Sequence, residues 1–205
     1  YYPTQAGMVH PTLKTDLLGR QIQACHDINV RCPIYVTVGW SANDAEMHPE
    51  WCARKQDGTI ATVNFDLEAT PETPKPIVSW KFLCPSGGYR DLILAQTREL
   101  CTAYPVDGLF YDICFGPATC YCDTCRAGMA KQGLDLESET AVKAYTRRKW
   151  VDFMKACRAV IHERHPEATA YFNGGANLDT PQEILDQQTH LELEDLPTTW
   201  GGYDK

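Results

Sequence analysis

Val106-Asp107-Gly108-Leu109-Phe110-Tyr111-Asp112-Ile113 is the stretch whose reading decides the fold. Before it, Asp91 to Ala103 carries a helical pattern that Tyr104-Pro105 breaks, because a residue preceding proline is pushed out of the helical region. The stretch itself is short and apolar, so it reads as a strand rather than a helix. Side chains alternate along a strand, which puts Gly108, Phe110 and Asp112 on one face and Asp112 at its C-terminal end.

The same helix-then-strand unit recurs on both sides. Upstream, Leu18, Ile22, Cys25 and Ile28 keep helical spacing, and the β-rich run Arg31 to Trp40 follows. Downstream, Trp150, Phe153, Met154, Cys157, Val160 and Ile161 form a stripe that His165-Pro166 ends, and Ala168 to Asn173 is the next strand before Gly174-Gly175. Pro181 to Asp186 predicts a short helix and Thr189 to Glu194 a fourth strand. Strands joined through helices pair in parallel, and the C-terminal strand ends of such sheets build binding sites, whether the sheet closes into a barrel or stays open and doubly wound. Periodicity alone does not separate these two architectures. No Gly-x-Gly-x-x-Gly turn follows any strand, which disfavours a nucleotide-binding open sheet. A (β/α)8 TIM barrel takes about 250 residues. On that reading, residues 1–205 are one incomplete barrel domain.

Composition narrows the partners. With 43% hydrophobic residues the chain has material for a core, and its net charge of −8 with scattered Lys and Arg argues against nucleic acid. No run reaches the roughly 18 apolar residues of a membrane span, and Tyr1-Tyr2-Pro3 opens without a signal-peptide pattern or an initiator Met, so the expected N-terminus lies upstream. Cys25, Cys32, Cys101 and Cys157 read as core thiols, which points to a reducing, cytoplasmic compartment. The oligomeric state, including a homo-oligomer, stays open.

Two groups of residues carry candidate chemistry. Asp112 and the pair Glu192 and Glu194 are the carboxylates at strand ends; a cap to the following loop is the competing role for Asp112, and pairing with an Arg for either glutamate. Cys120-Tyr121-Cys122-Asp123-Thr124-Cys125 places three thiols in six residues, spacing that suits tetrahedral zinc. Cys84 is the expected fourth ligand, with Cys52, Cys114 or a His as alternatives, and a disulfide plus a free thiol as the competing arrangement. Trp40, His48, Trp51, Asn173, His190 and Trp200 are candidate sugar contacts, since pyranose C–H faces stack on rings while hydroxyls take polar partners; for each, packing competes with binding.

Taken in order, Trp40, His48-Pro49-Glu50-Trp51, Leu83-Cys84-Pro85-Ser86, Tyr89-Arg90, Asp107 to Ile113, Cys120-x-Cys122-x-x-Cys125, Phe172-Asn173-Gly174-Gly175 and His190 to Glu194 resemble hypothetical glycosyl hydrolase family 6, which is related to the α-L-fucosidase and β-galactosidase barrels. The resemblance implies a glycoside substrate, a TIM barrel of which this chain carries about strands three to six, and a retaining O-glycosidase. By likeness to the family 42 β-galactosidases, Cys84, Cys120, Cys122 and Cys125 hold a structural zinc. Those enzymes carry an Asn-Glu acid/base pair where this chain has Ile113-Cys114, so that role is missing here. By likeness to the family 29 fucosidases, Asp112 is the nucleophile at the end of strand four, with Glu192 or Glu194 as acid/base on strand six. A non-catalytic carbohydrate-binding barrel and a zinc-dependent hydrolase with His48 or His190 at an open metal position are the alternatives.

Overall fold

The computed structural model describes residues 1–66, 77–173 and 179–192, with backbone alone at 64–66 and 77–79. In chain order, α1 (Leu17–His26) leads into β1 (Ile34–Thr37), and α2 (Ala42–Met47) and a 3-10 turn (Pro49–Trp51) precede the hairpin β2 (Thr62–Asp66) and β3 (Ile77–Lys81). Then α3 (Gly87–Ala103) leads to β4 (Gly108–Asp112), α4 (Asp123–Lys131) and α5 (Glu139–Arg164) lead to β5 (Thr169–Phe172), and α6 (Gln182–Leu185) follows. The main sheet is parallel in the order β1-β4-β5, with Tyr35 opposite Phe110 and Phe110 opposite Tyr171.

Alternation divides the sheet into two unlike faces. Leu109, Tyr111, Ala170 and Phe172 are fully buried and share one core with Leu18 and Ile22 of α1, Ile93 and Leu94 of α3, and Phe153 and Met154 of α5. All three long helices therefore cover the same face. Tyr111 is the centre of this layer: its ring stacks on Phe172 at 5.2 Å and meets Phe153 edge-on at 6.5 Å. The Thr97 hydroxyl donates to the Ile93 carbonyl at 2.8 Å, so it is the Tyr111 hydroxyl that donates to Thr97 Oγ1 at 2.9 Å, and neither buried oxygen is left unsatisfied. The opposite face carries Tyr35, Phe110, Asp112 and Tyr171, and Tyr35 is 58% exposed there.

α5 contains the expected stripe but starts well before it, at Glu139. Ser138 caps its first turn by accepting from the Ala141 N–H, and His165 closes it through an N–H to the Ile161 carbonyl, just before Pro166 would break it. Its buried Phe153 alone supports the sheet with burial worth about 1.5–3 kcal/mol.

The structure departs from the sequence expectations at three places. An antiparallel hairpin, β2 with β3, lies between the first two helix-strand units, in a stretch to which the sequence reading assigns no element. Residues 189–192 of the expected fourth strand are not a strand; Thr189 lies beside β5, donating its N–H to the Ala170 carbonyl at 2.9 Å, but its own hydroxyl accepts from the Ala170 N–H, replacing a backbone partner. Leu193 and Glu194 lie outside the described residues. Of the four expected core thiols, Cys101 and Cys157 are buried, whereas Cys25 and Cys32 are half-buried because they sit in the last turn of α1 and ahead of β1, at the rim where helix cover ends. No helix among the described residues is long and apolar enough to cross a membrane.

Candidate active site

Asp112 closes β4, directly beside Thr37, the last residue of β1. Its main chain is fixed first: the Val38 N–H donates to the Asp112 carbonyl at 2.9 Å. Both carboxylate oxygens are then engaged. The Ile113 N–H donates to Oδ1 at 2.9 Å, and the Tyr35 hydroxyl, from the neighbouring strand and the same sheet face, donates to Oδ2. Each carboxylate oxygen keeps further lone-pair capacity, so the group is oriented without being saturated.

A cavity of about 390 Å³ opens over this carboxylate, within the range of small-ligand sites. Trp40 and Trp80 form its apolar wall, their ring centroids 4.3 Å apart, and Tyr35, Glu46 and Lys81 complete the polar rim around Asp112. Trp40 is seated by packing on Phe82 at 5.5 Å and by a bridge to Phe82 that ties the β1 loop to the end of the hairpin. Glu46 projects from α2, whose start is set by Ser41 accepting from the Asp44 N–H. Rings, carboxylates and an ammonium around one oriented Asp are suited to holding a polyhydroxylated ring and attacking one of its carbons.

A second feature extends the site along the sheet. Tyr35 meets Phe110 edge-on at 5.7 Å, Phe110 stacks on Tyr171 at 4.8 Å, and Tyr171 contacts the His190 ring at 4.2 Å. This aromatic row runs across all three parallel strands on the Asp112 face. Burial first, and the Glu192 charge second, push the Tyr171 hydroxyl above its ordinary range. Asn173 follows β5; it is buried and its N–H donates to the Tyr111 carbonyl at 2.9 Å.

The sequence-derived residues thus separate into groups. Asp112 and Trp40 share the cavity, and His190 reaches the same face through Tyr171. His48 and Trp51 do not line the cavity: they stack on each other at 3.7 Å and 11°, with His48 Nδ1 3.0 Å from a Glu50 oxygen, and Trp51 leans on Tyr89 of α3. Glu194 and Trp200 lie outside the described residues. Tyr35, Glu46, Trp80 and Lys81 were not singled out by sequence. For Tyr35 a signal existed, since it alternates with Thr37 on a strand; Trp80 and Lys81 required the unforeseen hairpin.

Cys84, Cys120, Cys122 and Cys125 converge, all buried, with their sulfurs within 4.8 Å of one another. Cys84 precedes α3, Cys120 and Cys122 precede α4, and Cys125 is in its first turn, so the cluster ties the segment before α3 to the start of α4, in a small second core with Met129, Val142 and Tyr145. The Cys84 and Cys125 sulfurs are 3.6 Å apart, far from the roughly 2 Å of a disulfide. That separation is close to the roughly 3.8 Å edge of a tetrahedron built on metal–sulfur bonds of about 2.3 Å. The four residues can bind a metal ion.

A comparison with curated proteins finds no match. Among solved structures, the chain is similar to alpha-L-fucosidase isoenzyme 2 from Paenibacillus thiaminolyticus, with 33% identity and a TM-score of 0.83. The likeness covers 99% of this chain but 29% of the fucosidase chain. Residues 1–113 match the sequence model described as Hypothetical glycosyl hydrolase 6, a span that takes in α1 to β4, includes Asp112 and stops short of the Cys120 to Cys125 segment. With more than half of its length matched, the chain belongs to the hypothetical glycosyl hydrolase 6 family.

Proposed function

We propose that this chain is the part of a (β/α)8 barrel, about strands three to six in one incomplete domain, that carries the nucleophile of a retaining O-glycosidase acting on α-L-fucoside-like or β-galactoside-like substrates. The observation that carries the reading is Asp112: a carboxylate at the C-terminal end of a parallel strand, held at both oxygens and facing a cavity walled by Trp40 and Trp80. The barrel form is supported by the placement of α1, α3 and α5 on one face, since a doubly wound sheet has helices on both, and by the aromatic row left on the other.

In the first step a lone pair of the Asp112 carboxylate forms a bond to the anomeric carbon while the bond to the leaving oxygen breaks. That oxygen keeps the electron pair and takes a proton from Glu192 or Glu194. In the second step the same glutamate removes a proton from water, the water oxygen bonds to the anomeric carbon, and Asp112 departs with its electron pair. Retention requires carboxyl groups about 5–5.5 Å apart. We assign the four cysteines to a structural zinc: four thiolates complete a tetrahedral shell and leave no position for a reacting water, which disfavours the zinc-hydrolase reading.

The test is the complete parent protein against a panel of aryl glycosides that includes α-L-fucoside and β-galactoside. Turnover with retained anomeric configuration, abolished in Asp112→Asn while sugar binding persists, supports the reading. A parent that binds sugars without turnover replaces it with a carbohydrate-binding role.

A further inference from the structure

We propose that Tyr35 is a positioning residue for the Asp112 nucleophile, acting together with the backbone of Ile113. The inference rests on the assignment of Asp112 made above. Ile113 has φ +57°, a left-handed conformation that a β-branched residue adopts only at a cost of order 1–3 kcal/mol. The Ile113 N–H lies ahead of that turn, in the peptide that follows Asp112, and donates to Oδ1 of the preceding side chain at 2.9 Å; the left-handed φ then sends the chain on from the strand end. Oδ2 is taken by the Tyr35 hydroxyl, from a residue 77 positions away that strand pairing brings alongside. The two donors approach from different directions, one from the chain after the strand and one from the adjacent strand, and so fix the plane of the carboxylate about its Cβ–Cγ bond.

The pairing is built into the register. Tyr35 lies opposite Phe110 and Thr37 opposite Asp112, so Tyr35 shares the Asp112 face one pleat back along the neighbouring strand. Its ring is seated edge-on against Phe110 at 5.7 Å, leaving the hydroxyl as the group that reaches Asp112. A hydrogen bond to a carboxylate is strongest while the carboxylate is charged. The Tyr35 bond therefore orients Asp112 before attack, weakens while the sugar is attached, and strengthens again as Asp112 departs. Its removal is felt most in the second step, where the departing charge has to be stabilised.

Tyr35→Phe removes the hydroxyl and keeps the ring on Phe110. It is made in the complete parent protein beside Asp112→Asn, with kcat, KM and labelling by an activated 2-deoxy-2-fluoro glycoside of the preferred sugar. Expected for Tyr35→Phe are an unfolding temperature close to the parent's, KM within a few-fold or lower, and kcat reduced roughly 10- to 100-fold, as for a lost charge-assisted hydrogen bond. Its labelled Asp112 should also release sugar more slowly on exchange into buffer. Unchanged kcat and release, or a raised KM with kcat intact, overturns the positioning role while an inactive, unlabelled Asp112→Asn leaves the glycosidase assignment standing. Full turnover in Asp112→Asn, with the label on another carboxylate, overturns both.

Discussion

A Cβ added at Gly39 would lie 2.3 Å from the carbonyl oxygen of Ile113. The loop after β1 therefore rests directly on the residue that follows Asp112, and Gly39 itself has φ +76°, where a side chain is strained. Contact and conformation both require glycine. Gly39→Ala is expected to destabilise the fold by about 1–3 kcal/mol and to push on Ile113 through its carbonyl, disturbing the residue whose N–H holds Asp112. Chemical denaturation gives the first effect and kcat the second; an alanine variant with parental values for both would mean that the two loops are loosely apposed.

The cysteine cluster gives a prediction about composition and folding. One zinc per chain is expected by elemental analysis of the parent protein, and Cys122→Ser is expected to release it and to lower the denaturation midpoint. Cys114 is also buried but stands apart from the four converging sulfurs, so Cys114→Ser should retain the metal. Because the ligands join the segment before α3 to α4, chelation should loosen folding before it touches chemistry. Metal-free protein with an unchanged midpoint would argue for four packed thiols instead.

How far these sites were legible in the sequence follows from how local their signals are. Asp112 was visible because the strand that carries it is a compact apolar run bounded by Pro105, and three of the four cysteines were visible because they fall within six residues. α5 announced itself through a long stripe and a terminating proline. The hairpin was missed because its strands are five residues each and are separated by a segment containing Pro71, Pro74 and Pro76. Tyr35 and Glu46 were missed for a different reason: alternation puts Tyr35 on one face with Thr37 but does not give the register that sets it beside Asp112, and where a six-residue helix points leaves no periodic trace at all. Conversely, His48-Pro49-Glu50-Trp51 drew attention as an aromatic and polar cluster, yet its rings are spent on each other and on Tyr89.

That last contrast can be measured. Trp40 lines the Asp112 cavity and Trp51 does not. Trp40→Ala is expected to raise KM for an aryl glycoside roughly tenfold or more, the loss of about 1.4 kcal/mol of ring contact. Trp51→Ala should leave KM near the parental value and lower stability by up to about 3 kcal/mol, since its ring packs between His48 and Tyr89. A larger KM effect from Trp51 than from Trp40 would move the sugar platform to the His48 segment.

At the other end of β4, Asp107 ties the start of the strand to the α1–β1 connection. One of its carboxylate oxygens lies 2.7 Å from His26 Nε2 and accepts from the Cys32 N–H at 2.7 Å. Partial burial pushes this carboxyl up, but the Cys32 N–H and the His26 ring outweigh it, and the net result is a carboxyl held below its ordinary value. The sign follows from linkage: a depressed folded-state value means that the unfolded chain takes up the proton first as pH falls. The stabilisation is therefore fully present above the unfolded value of about 3.9 and is lost as pH falls through the lower folded value. Asp107→Asn should lower the unfolding temperature at pH 7, and the gap between variant and parent should narrow below about pH 4. Equal losses at pH 7 and pH 3 would show that Asp107 acts through its shape and not its charge.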